Sequence, residues 1–347
     1  MIKLLPTTIV GSYVQPDWLV DRELLKSRTP PRFRATEIWR VPDEYLAQAQ
    51  DDATVLAIRD QERAGIDIVT DGEIRRESYS NRLAMSLDGI DKITSGTALG
   101  RTGTPDVVPK IIGKIMRKDP IEVNDVKFLR ANTDHVIKIT LPGPFTMTQQ
   151  SEDNYYGNDE TMAFDYAIAV NAEIKDLFEA GADIVQLDEP YMQARPDKAA
   201  DFAVEAINKA VSGVSGTTAL HMCFGYAHVY ASNGLEKETS YAFLEQLNRC
   251  HIDQISIEAA QPKLDLSILR ELPNKTIILG VIDNGDSKVE SPETVASRID
   301  SALRYVDPER LVLAPDCGMK YMDRDLAFAK LSALSLGASL VRDRINI

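Results

Sequence analysis

Histidine, cysteine and glutamate, three residue types that bind zinc, stand at the ends of apolar runs in this sequence. His221 and Cys223 end the run Thr217–Cys223, whose composition is that of a buried strand. Side chains two positions apart on a strand point to the same face, so this pair converges. Glu258 and Cys317 follow two later apolar runs. Because zinc takes imidazole, thiolate and carboxylate ligands in tetrahedral geometry, with one exchangeable position in a catalytic site, the four residues predict a zinc centre.

The His-x-Cys spacing is a weak signal when it is taken alone. Sparse cysteines are usually small buried hydrophobic residues, and a single histidine on an apolar strand is usually a core residue. The third cysteine, Cys250, lies in a helix-like segment, where we expect an unreactive side chain. Position in the fold therefore decides between a metal site and core packing.

Composition limits the class of protein. The chain has 347 residues, of which 44% are hydrophobic and 27% charged, as in ordinary globular proteins, and no apolar run approaches the length of a membrane span. Its start lacks the features of a signal peptide, and three separated cysteines suit a reducing compartment, so we expect a cytoplasmic protein. The net charge of −14 argues against nucleic acid and anionic membranes as partners.

Short apolar runs rich in Val, Ile and Leu recur along the chain, as expected for parallel strands buried on both faces. The eight runs are Thr7–Val10, Ile66–Thr70, Val136–Leu141, Ile184–Leu187, Ala219–Cys223, Ile255–Ile257, Ile277–Ile282 and Leu311–Ala314. Amphipathic helical segments separate them. Eight alternating units predict an α/β fold of the (β/α)8 TIM-barrel type, with a doubly wound open sheet as the main competitor.

Glycine marks the junction between helix and strand in this alternation. Gly65 and Gly181 each precede an apolar run and predict helix stops, and Leu336–Val341 is a weaker third copy of the same pattern. We expect one catalytic domain over residues 1–347, with an N-terminal extension at residues 13–45 and an insertion at residues 80–132 after the second strand. Within this insertion, the glycine-rich segment Ser95–Gly103 indicates a hairpin or an irregular loop.

Polar residues follow the predicted strands at their carboxyl ends. These residues are Ser12, Asp71, Glu73, Asp188, Glu189, His221, Cys223, Glu258, Asp283, Asp316 and Cys317. Active sites of TIM barrels lie at this end, where the βα loops gather, whereas structural carboxylates would be scattered over the whole surface. Position therefore favours a functional metal site.

These residues stand in motifs that resemble the catalytic barrel of the cobalamin-independent methionine synthase family, nearly from end to end. The motifs are Thr8–Ser12, Asp71-Gly72-Glu73, Leu141–Pro144, Leu187–Pro190, His221-Met222-Cys223, Ile255–Glu258 and Pro315–Lys320. The resemblance implies that His221, Cys223, Glu258 and Cys317 bind Zn2+. It also implies that Ser12, Glu73 and Asp188 hold homocysteine, with Glu73 and Asp188 at the ammonium group and donors near Ser12 at the carboxylate.

The implied reaction is methyl transfer to the thiol of homocysteine, which forms methionine. A free thiol is mostly protonated at neutral pH, whereas a zinc-bound thiol is deprotonated and nucleophilic. Glu258 or water would be the ligand that the substrate sulfur displaces. Two thiolate ligands keep the zinc electron-rich, which suits alkyl transfer to sulfur better than hydrolysis.

The sequence departs from the family where methyl-folate would bind. The classical enzymes have a further amino-terminal barrel that is not matched here. Gly285 stands where the family has a histidine proposed to protonate the folate, and Gln149, Gln150 or a neighbour replaces a tryptophan expected against the pterin. An Arg-Ser element is not recognisable in residues 100–104. Because general acid help is worth roughly 100- to 10,000-fold in rate, these losses favour a donor other than triglutamyl methyl-folate, such as a methyl-corrinoid protein or another carrier.

Four alternatives stay open at this stage. One is alkylation of another small thiol such as coenzyme M, although Glu73 and Asp188 favour a substrate with an ammonium group. The second is the classical reaction with 5-methyltetrahydrofolate. A closed structural zinc site is the third, but such sites usually occur in small domains that need metal to fold. The last is an acid/base site like that of uroporphyrinogen decarboxylase, which would not require His221 and Cys317.

Overall fold

The computed structural model describes residues 3–28, 30–232 and 234–345. The strands are β1 (Ile68–Thr70), β2 (Asp88–Ile90), β3 (Gly96–Leu99), β4 (Pro105–Val108), β5 (Lys110–Met116), β6 (Val136–Pro142), β7 (Glu152–Asp153), β8 (Ile184–Asp188), β9 (Thr217–Met222), β10 (Gln254–Ile257), β11 (Thr276–Ile282) and β12 (Leu311–Pro315). The α-helices are α1 (Arg22–Ser27), α2 (Asp43–Arg63), α3 (Asn81–Ser86), α4 (Val123–Asn132), α5 (Pro144–Gln149), α6 (Asp159–Glu179), α7 (Pro190–Ala194), α8 (Pro196–Ala210), α9 (Ala227–Ser232), α10 (Pro292–Ala302) and α11 (Arg324–Ile345).

The main sheet contains seven parallel strands in the order β1-β6-β8-β9-β10-β11-β12. The chain at Thr7 and Thr8 lies between its two ends, because Thr7 bridges Leu313 of β12 and Thr8 bridges Ile68 of β1, both in parallel. The Thr8 amide donates to the Leu313 carbonyl at 2.8 Å, and the Ile68 amide donates to the Thr7 carbonyl at 2.9 Å. These bridges close the sheet, and the predicted TIM barrel is confirmed.

The predicted strands agree with the barrel strands to within two residues at each end, with one exception. The first predicted strand, Thr7–Val10, forms only the two isolated bridges. Residues from around the barrel form a small buried cluster, as expected for side chains that fill the interior of a TIM barrel. Its members are Val10, Ile68, Ile184, Ala219, Ile278, Val312 and Ala314.

Asp67 fixes the seam where the barrel closes. Its carboxylate accepts hydrogen bonds from the Thr7 amide and hydroxyl, both at 3.0 Å, from Lys3 at 2.8 Å and from Arg342 at 2.6 Å. Arg342 lies on α11 and also donates to the carbonyls of Leu4 and Leu5, each at 2.7 Å. One carboxylate thus ties β1, the first barrel position and the last described helix together.

The two predicted glycine helix stops are confirmed, and the third copy of the pattern is wrong. Gly65 and Gly181 follow α2 and α6 with φ of +86° and +105°, a conformation that glycine adopts without steric cost. Leu336–Val341, in contrast, lies inside α11. A Cβ at Gly337 would lie 2.6 Å from Val295 Cβ on α10, so this glycine permits close helix packing instead of ending a helix.

The insertion at residues 80–132 contains α3, four of the short strands and α4. The hairpin predicted near residues 95–103 is present: β3 and β4 pair antiparallel, from Gly96 opposite Val108 to Leu99 opposite Pro105. These two strands form a sheet of their own. Within the described residues, no helix is both long and apolar enough to cross a membrane.

Candidate metal and substrate site

The predicted site residues occupy the carboxyl ends of the barrel strands. His221 lies on β9, and Cys223 follows it directly. Asp188 is the last residue of β8, while Glu258 and Cys317 come one and two residues after β10 and β12. The parallel order of these strands brings their ends to one mouth of the barrel, as expected for a TIM-barrel site.

His221, Cys223 and Cys317 form a buried group whose potential ligand atoms all lie within 4.8 Å of one another. The Nδ1 atom of His221 is 2.9 Å from the Ser256 hydroxyl, whereas its Nε2 atom is buried without a partner. A hydrogen bond from the Cys317 thiol lowers the pKa of Cys223 well below its ordinary value and raises the pKa of Cys317. A free imidazole nitrogen beside two thiols fits zinc, with Ser256 orienting the ring.

Glu258 has a different set of partners from the one that the sequence indicates. Its Oε1 atom accepts from the amides of Phe224 and Gly225 at 3.1 and 3.4 Å, and its Oε2 atom pairs with Lys237. The pair is buried, with side-chain exposures of 0% and 2%. Burial raises the pKa of Glu258 to about 7, while Lys237 lowers it. Among the described residues, the group of three therefore stands without Glu258.

Ser12, Glu73 and Asp188 line one pocket together with the His/Cys/Cys group. The Ser12 hydroxyl and Glu73 Oε2 are buried without hydrogen-bond partners, while Glu73 Oε1 accepts from the Thr140 hydroxyl at 3.0 Å. Glu73 has a φ of +53°, which is rare for a residue with a side chain and concentrates at functional sites. Burial raises the pKa of Asp188 to about 7, although the nearby His221 lowers it.

Other carboxylates that follow the strands have structural partners. Asp71 pairs with Arg76 at 3.0 Å, and Glu189 accepts from the amides of Phe145 and Thr146 at 2.9 and 2.7 Å. Asp316 accepts from three consecutive amides that begin at Ala259. Their position at the barrel mouth is as predicted, but they hold loops in place.

Three residues at the site, Lys138, Lys237 and Arg101, were not predicted from the sequence. Lys138 stands in the middle of a buried strand and donates to Gln186 at 2.8 Å, and Gln186 in turn donates to Asp188 at 2.8 Å. A lysine inside an apolar run is unusual, and it could have predicted a buried polar contact here. Lys237 lies in a loop, and Arg101 lies in the inserted hairpin. In neither segment does a local sequence pattern predict a contact with the site.

A second, more open cleft borders the site, lined in part by Tyr226, Lys237, Gln261, Gly285 and Gly318. Of these, Tyr226 and Gly318 also line the first pocket. A Cβ at position 285 would lie 2.4 Å from Gln261 Nε2, so a larger residue there requires Gln261 to move. The cleft and the pocket therefore adjoin at Tyr226 and Gly318, and residue 285 adds no side chain to the cleft.

Residues 5–339 match the family model described as "Cobalamin-independent synthase, Catalytic domain". The methionine synthase of Thermococcus kodakarensis is 33% identical, covering 98% of this chain and 94% of that protein. That of Saccharolobus solfataricus is 34% identical, with 99% and 97% covered.

The fold comparison agrees with these sequence matches. The structure of a B12-independent methionine synthase from Shewanella sp. W3-18-1, in complex with selenomethionine, superimposes with a TM-score of 0.90 at 32% identity. It covers 99% of both chains. The chain therefore belongs to the cobalamin-independent methionine synthase family, a family of methyltransferases.

Proposed function

We propose that this protein transfers a methyl group to the sulfur of homocysteine and so forms methionine, with Zn2+ as its cofactor. One observation carries the proposal: the Ser12 hydroxyl, Glu73 Oε2 and His221 Nε2 are all buried without partners, and all three residues line one pocket. Buried polar atoms are normally satisfied, so orphaned ones that share a pocket indicate a ligand. We further propose that residues 1–347 act as one catalytic domain that includes the insertion.

His221, Cys223 and Cys317 would hold the zinc, and Glu258 would be its exchangeable ligand or be replaced by water. When bound, zinc would supply a substrate thiolate at neutral pH. The sulfur lone pair then forms the bond to the methyl carbon, while the bond to the donor breaks and leaves its electron pair on the donor. Ser256 would orient His221 throughout, because its hydroxyl lies 2.9 Å from Nδ1.

Glu73 and Asp188 would bind the ammonium group of homocysteine, and Ser12 would donate to its carboxylate. An ammonium group close to Asp188 favours the charged carboxylate and so counters the effect of burial on its pKa. Glu73 Oε2 is available for the same contact. The Shewanella protein was solved in complex with selenomethionine, which supports an amino acid as the ligand. A thiol without an ammonium group, such as coenzyme M, would leave both acids unpaired.

For the methyl donor we propose a carrier other than triglutamyl methyl-folate. In place of the expected tryptophan, Gln149 accepts a hydrogen bond from Arg195 at 2.5 Å, and Gln150 donates to Tyr79. Gly285 offers no proton to a leaving group. Together with the open cleft, these features favour a donor that needs no general acid, such as a methyl-corrinoid on a carrier protein. Classical methyl-folate is the alternative.

The test supplies zinc-loaded protein with homocysteine and either methylcobalamin or 5-methyltetrahydrofolate in its mono- and triglutamyl forms. Methionine is the measured product. We expect turnover with the corrinoid and a rate at least roughly 100-fold lower with either folate, because protonation of the folate is unassisted. Efficient turnover with methyl-folate alone would overturn the donor proposal, and no methionine from any donor would overturn the reaction.

A matched pair of cysteine variants links the activity to the metal group. Cys317→Ser should lose both bound zinc and activity. Cys250→Ser should keep both, because Cys250 is a buried cysteine outside the His/Cys/Cys group, and burial raises the pKa of its thiol to about 12. Equal zinc contents in the two variants would contradict the assignment of Cys317.

A further inference from the structure

Arg101 brings a positive charge into the substrate pocket from outside the barrel strands. It lies at the tip of the hairpin between β3 and β4 and lines the same pocket as Glu73 and Asp188. Both of its hydrogen bonds within the described part of the chain come from Nη1 and go to Cys223, at 3.4 Å to the carbonyl oxygen and 3.8 Å to the sulfur. Both are long, so most of the five guanidinium N–H groups are unspent.

No carboxylate of the described residues forms an ion pair with Arg101. Arg76, a buried arginine near the barrel mouth, in contrast pairs with Asp71 at 3.0 Å. A guanidinium in a confined pocket loses hydration, and such a charge is normally compensated by an anion. The Cys223 sulfur and carbonyl oxygen use only Nη1 of Arg101, and both contacts are long, so the guanidinium keeps donors that an anionic group of a ligand can use.

Gly225 makes room for this guanidinium. A Cβ at residue 225 would lie 2.2 Å from Arg101 Nη2, and the φ of +129° at this position is also one that side chains rarely adopt. The backbone after Cys223 thus allows the arginine to lie directly against it. A built recess holds Arg101 beside the sulfur of Cys223.

We infer that Arg101 binds the carboxylate of the amino-acid substrate, while Glu73 and Asp188 bind its ammonium group. This inference rests on the proposed function and adds a second anchor to the one that Ser12 provides. Glu73 and Asp188 offer the pocket acceptors for an ammonium group, and Arg101 offers donors for a carboxylate, which are the two charged groups of an α-amino acid. In homocysteine the carboxylate carbon lies roughly 5 Å from the sulfur along an extended chain. Arg101 Nη1 lies 3.8 Å from Cys223 Sγ. A homocysteine molecule whose sulfur lies beside Cys223 can therefore also reach Arg101 with its carboxylate.

The consequence is selection for thiols that carry a complete amino-acid head group. The planar guanidinium can donate two parallel hydrogen bonds to a carboxylate, which a neutral amide cannot accept in the same way. An aminothiol without a carboxylate would leave Arg101 unpaired, and a carboxylated thiol without an amine would leave the two acids unpaired.

The test measures equilibrium binding to zinc-loaded protein of L-methionine, L-methioninamide and 4-(methylthio)butanoate by calorimetry. For wild type we expect methionine to bind most tightly. Arg101→Gln should weaken methionine about 10- to 100-fold, the size of a charged hydrogen bond, and leave methioninamide within about twofold. Arg101→Lys should restore part of the loss. Lys114→Gln, which removes an exposed charge from the same insertion, is the matched control and should change nothing.

The outcomes separate this inference from the proposed function. If wild type binds no amino acid, the proposed function fails. If it binds methionine and methioninamide equally, Arg101 does not read the carboxylate, and this inference alone is wrong. It is also wrong if Arg101→Gln weakens the binding of both ligands and of zinc equally, because the guanidinium would then serve Cys223.

Discussion

A buried lysine stands behind the candidate substrate carboxylate. Lys138 contacts Gln186, which contacts Asp188, so the three residues form a polar line through the barrel interior. Gln186 also donates to the Val10 carbonyl at 2.9 Å. The side-chain amide therefore holds Asp188 Oδ1 in one orientation. A fixed acceptor of this kind is preorganised for the ammonium group that we propose it binds, and its positioning does not depend on the ligand.

Lys138 should give the protein a distinctive dependence of stability on pH. Burial lowers its pKa to about 7 from an ordinary value of 10.5, although Asp188 raises it. Between these two pH values the unfolded chain binds more protons than the folded one, so the free energy of unfolding rises with pH across this range. The same contribution is lost again as the pH falls back to about 7. The slope is at most about 1.4 kcal/mol per pH unit.

Urea unfolding of wild type and Lys138→Met between pH 7 and 10 measures this contribution. We expect the stability of wild type relative to the variant to rise with pH over that window. The exposed Lys114→Met serves as the control and should run parallel to wild type. A wild-type curve that also runs parallel to the Lys138→Met curve would show that Lys138 is charged throughout.

At the scale of elements, the closure of the barrel depends on Asp67. Burial raises the pKa of Asp67, but hydrogen bonds from Lys3 and Thr7 and the charge of Arg342 outweigh it, so the net shift is downward. Its contribution is therefore present above the unfolded pKa near 3.8 and is lost as pH falls through the folded value.

Asp67→Ala should lower the free energy of unfolding by about 2–3 kcal/mol at pH 7, the range for hydrogen bonds to a charged group. Chemical unfolding at pH 7 and below 4 checks the size and the sign, because the difference from wild type should shrink in acid. Asp52→Ala, at an exposed position on α2, should stay within about 0.5 kcal/mol of wild type. A deficit for Asp67→Ala that persists unchanged in acid would show that its charge is not what stabilises the seam.

The sequence predicts elements well where burial alone decides them. The run Ile184–Leu187 is buried throughout and becomes β8 as expected. The first barrel position is harder, because its two bridges depend on Asp67 and on partners more than 50 residues away. The helix stop predicted at Gly337 is wrong for a related reason. The sequence alone does not distinguish a glycine that permits close helix packing from one that ends a helix.

In the site, too, the residues at strand ends could be predicted from the sequence, and the contacts made by loops could not. His221, Cys223 and Cys317 converge because strand ends converge, and this follows from a strand pattern. The pairing of Glu258 with Lys237 could not be predicted, because Lys237 lies in a loop without periodic structure. Contacts made by loops and insertions depend on tertiary geometry that no local pattern encodes.

At the scale of the whole molecule, the barrel has a large apolar core that does not involve the metal group. The closed sheet and the helices packed around it bury this core through the whole described chain. Small structural zinc domains, in contrast, unfold when metal is removed. We therefore expect the fold to persist without zinc.

Chelation should leave the far-ultraviolet circular dichroism unchanged and lower Tm only through mass action. Zinc at about 100 times its Kd stabilises the folded state by about 2.7 kcal/mol, which corresponds to a shift of roughly 4 °C in a chain of this size. Thermal scans before and after dialysis against a chelator, followed by zinc addition, measure the shift and its reversal. Loss of the cooperative transition on chelation would instead identify a structural zinc site.

The β3–β4 hairpin has a consequence for how such a protein can diverge. Its strands pair with each other and not with the barrel sheet, yet its tip forms part of the pocket wall. A hairpin of different sequence can replace it without breaking a hydrogen bond of the barrel sheet. With the role that we propose for Arg101, exchange of this hairpin would change which thiol is accepted and would leave the residues at the strand ends unchanged.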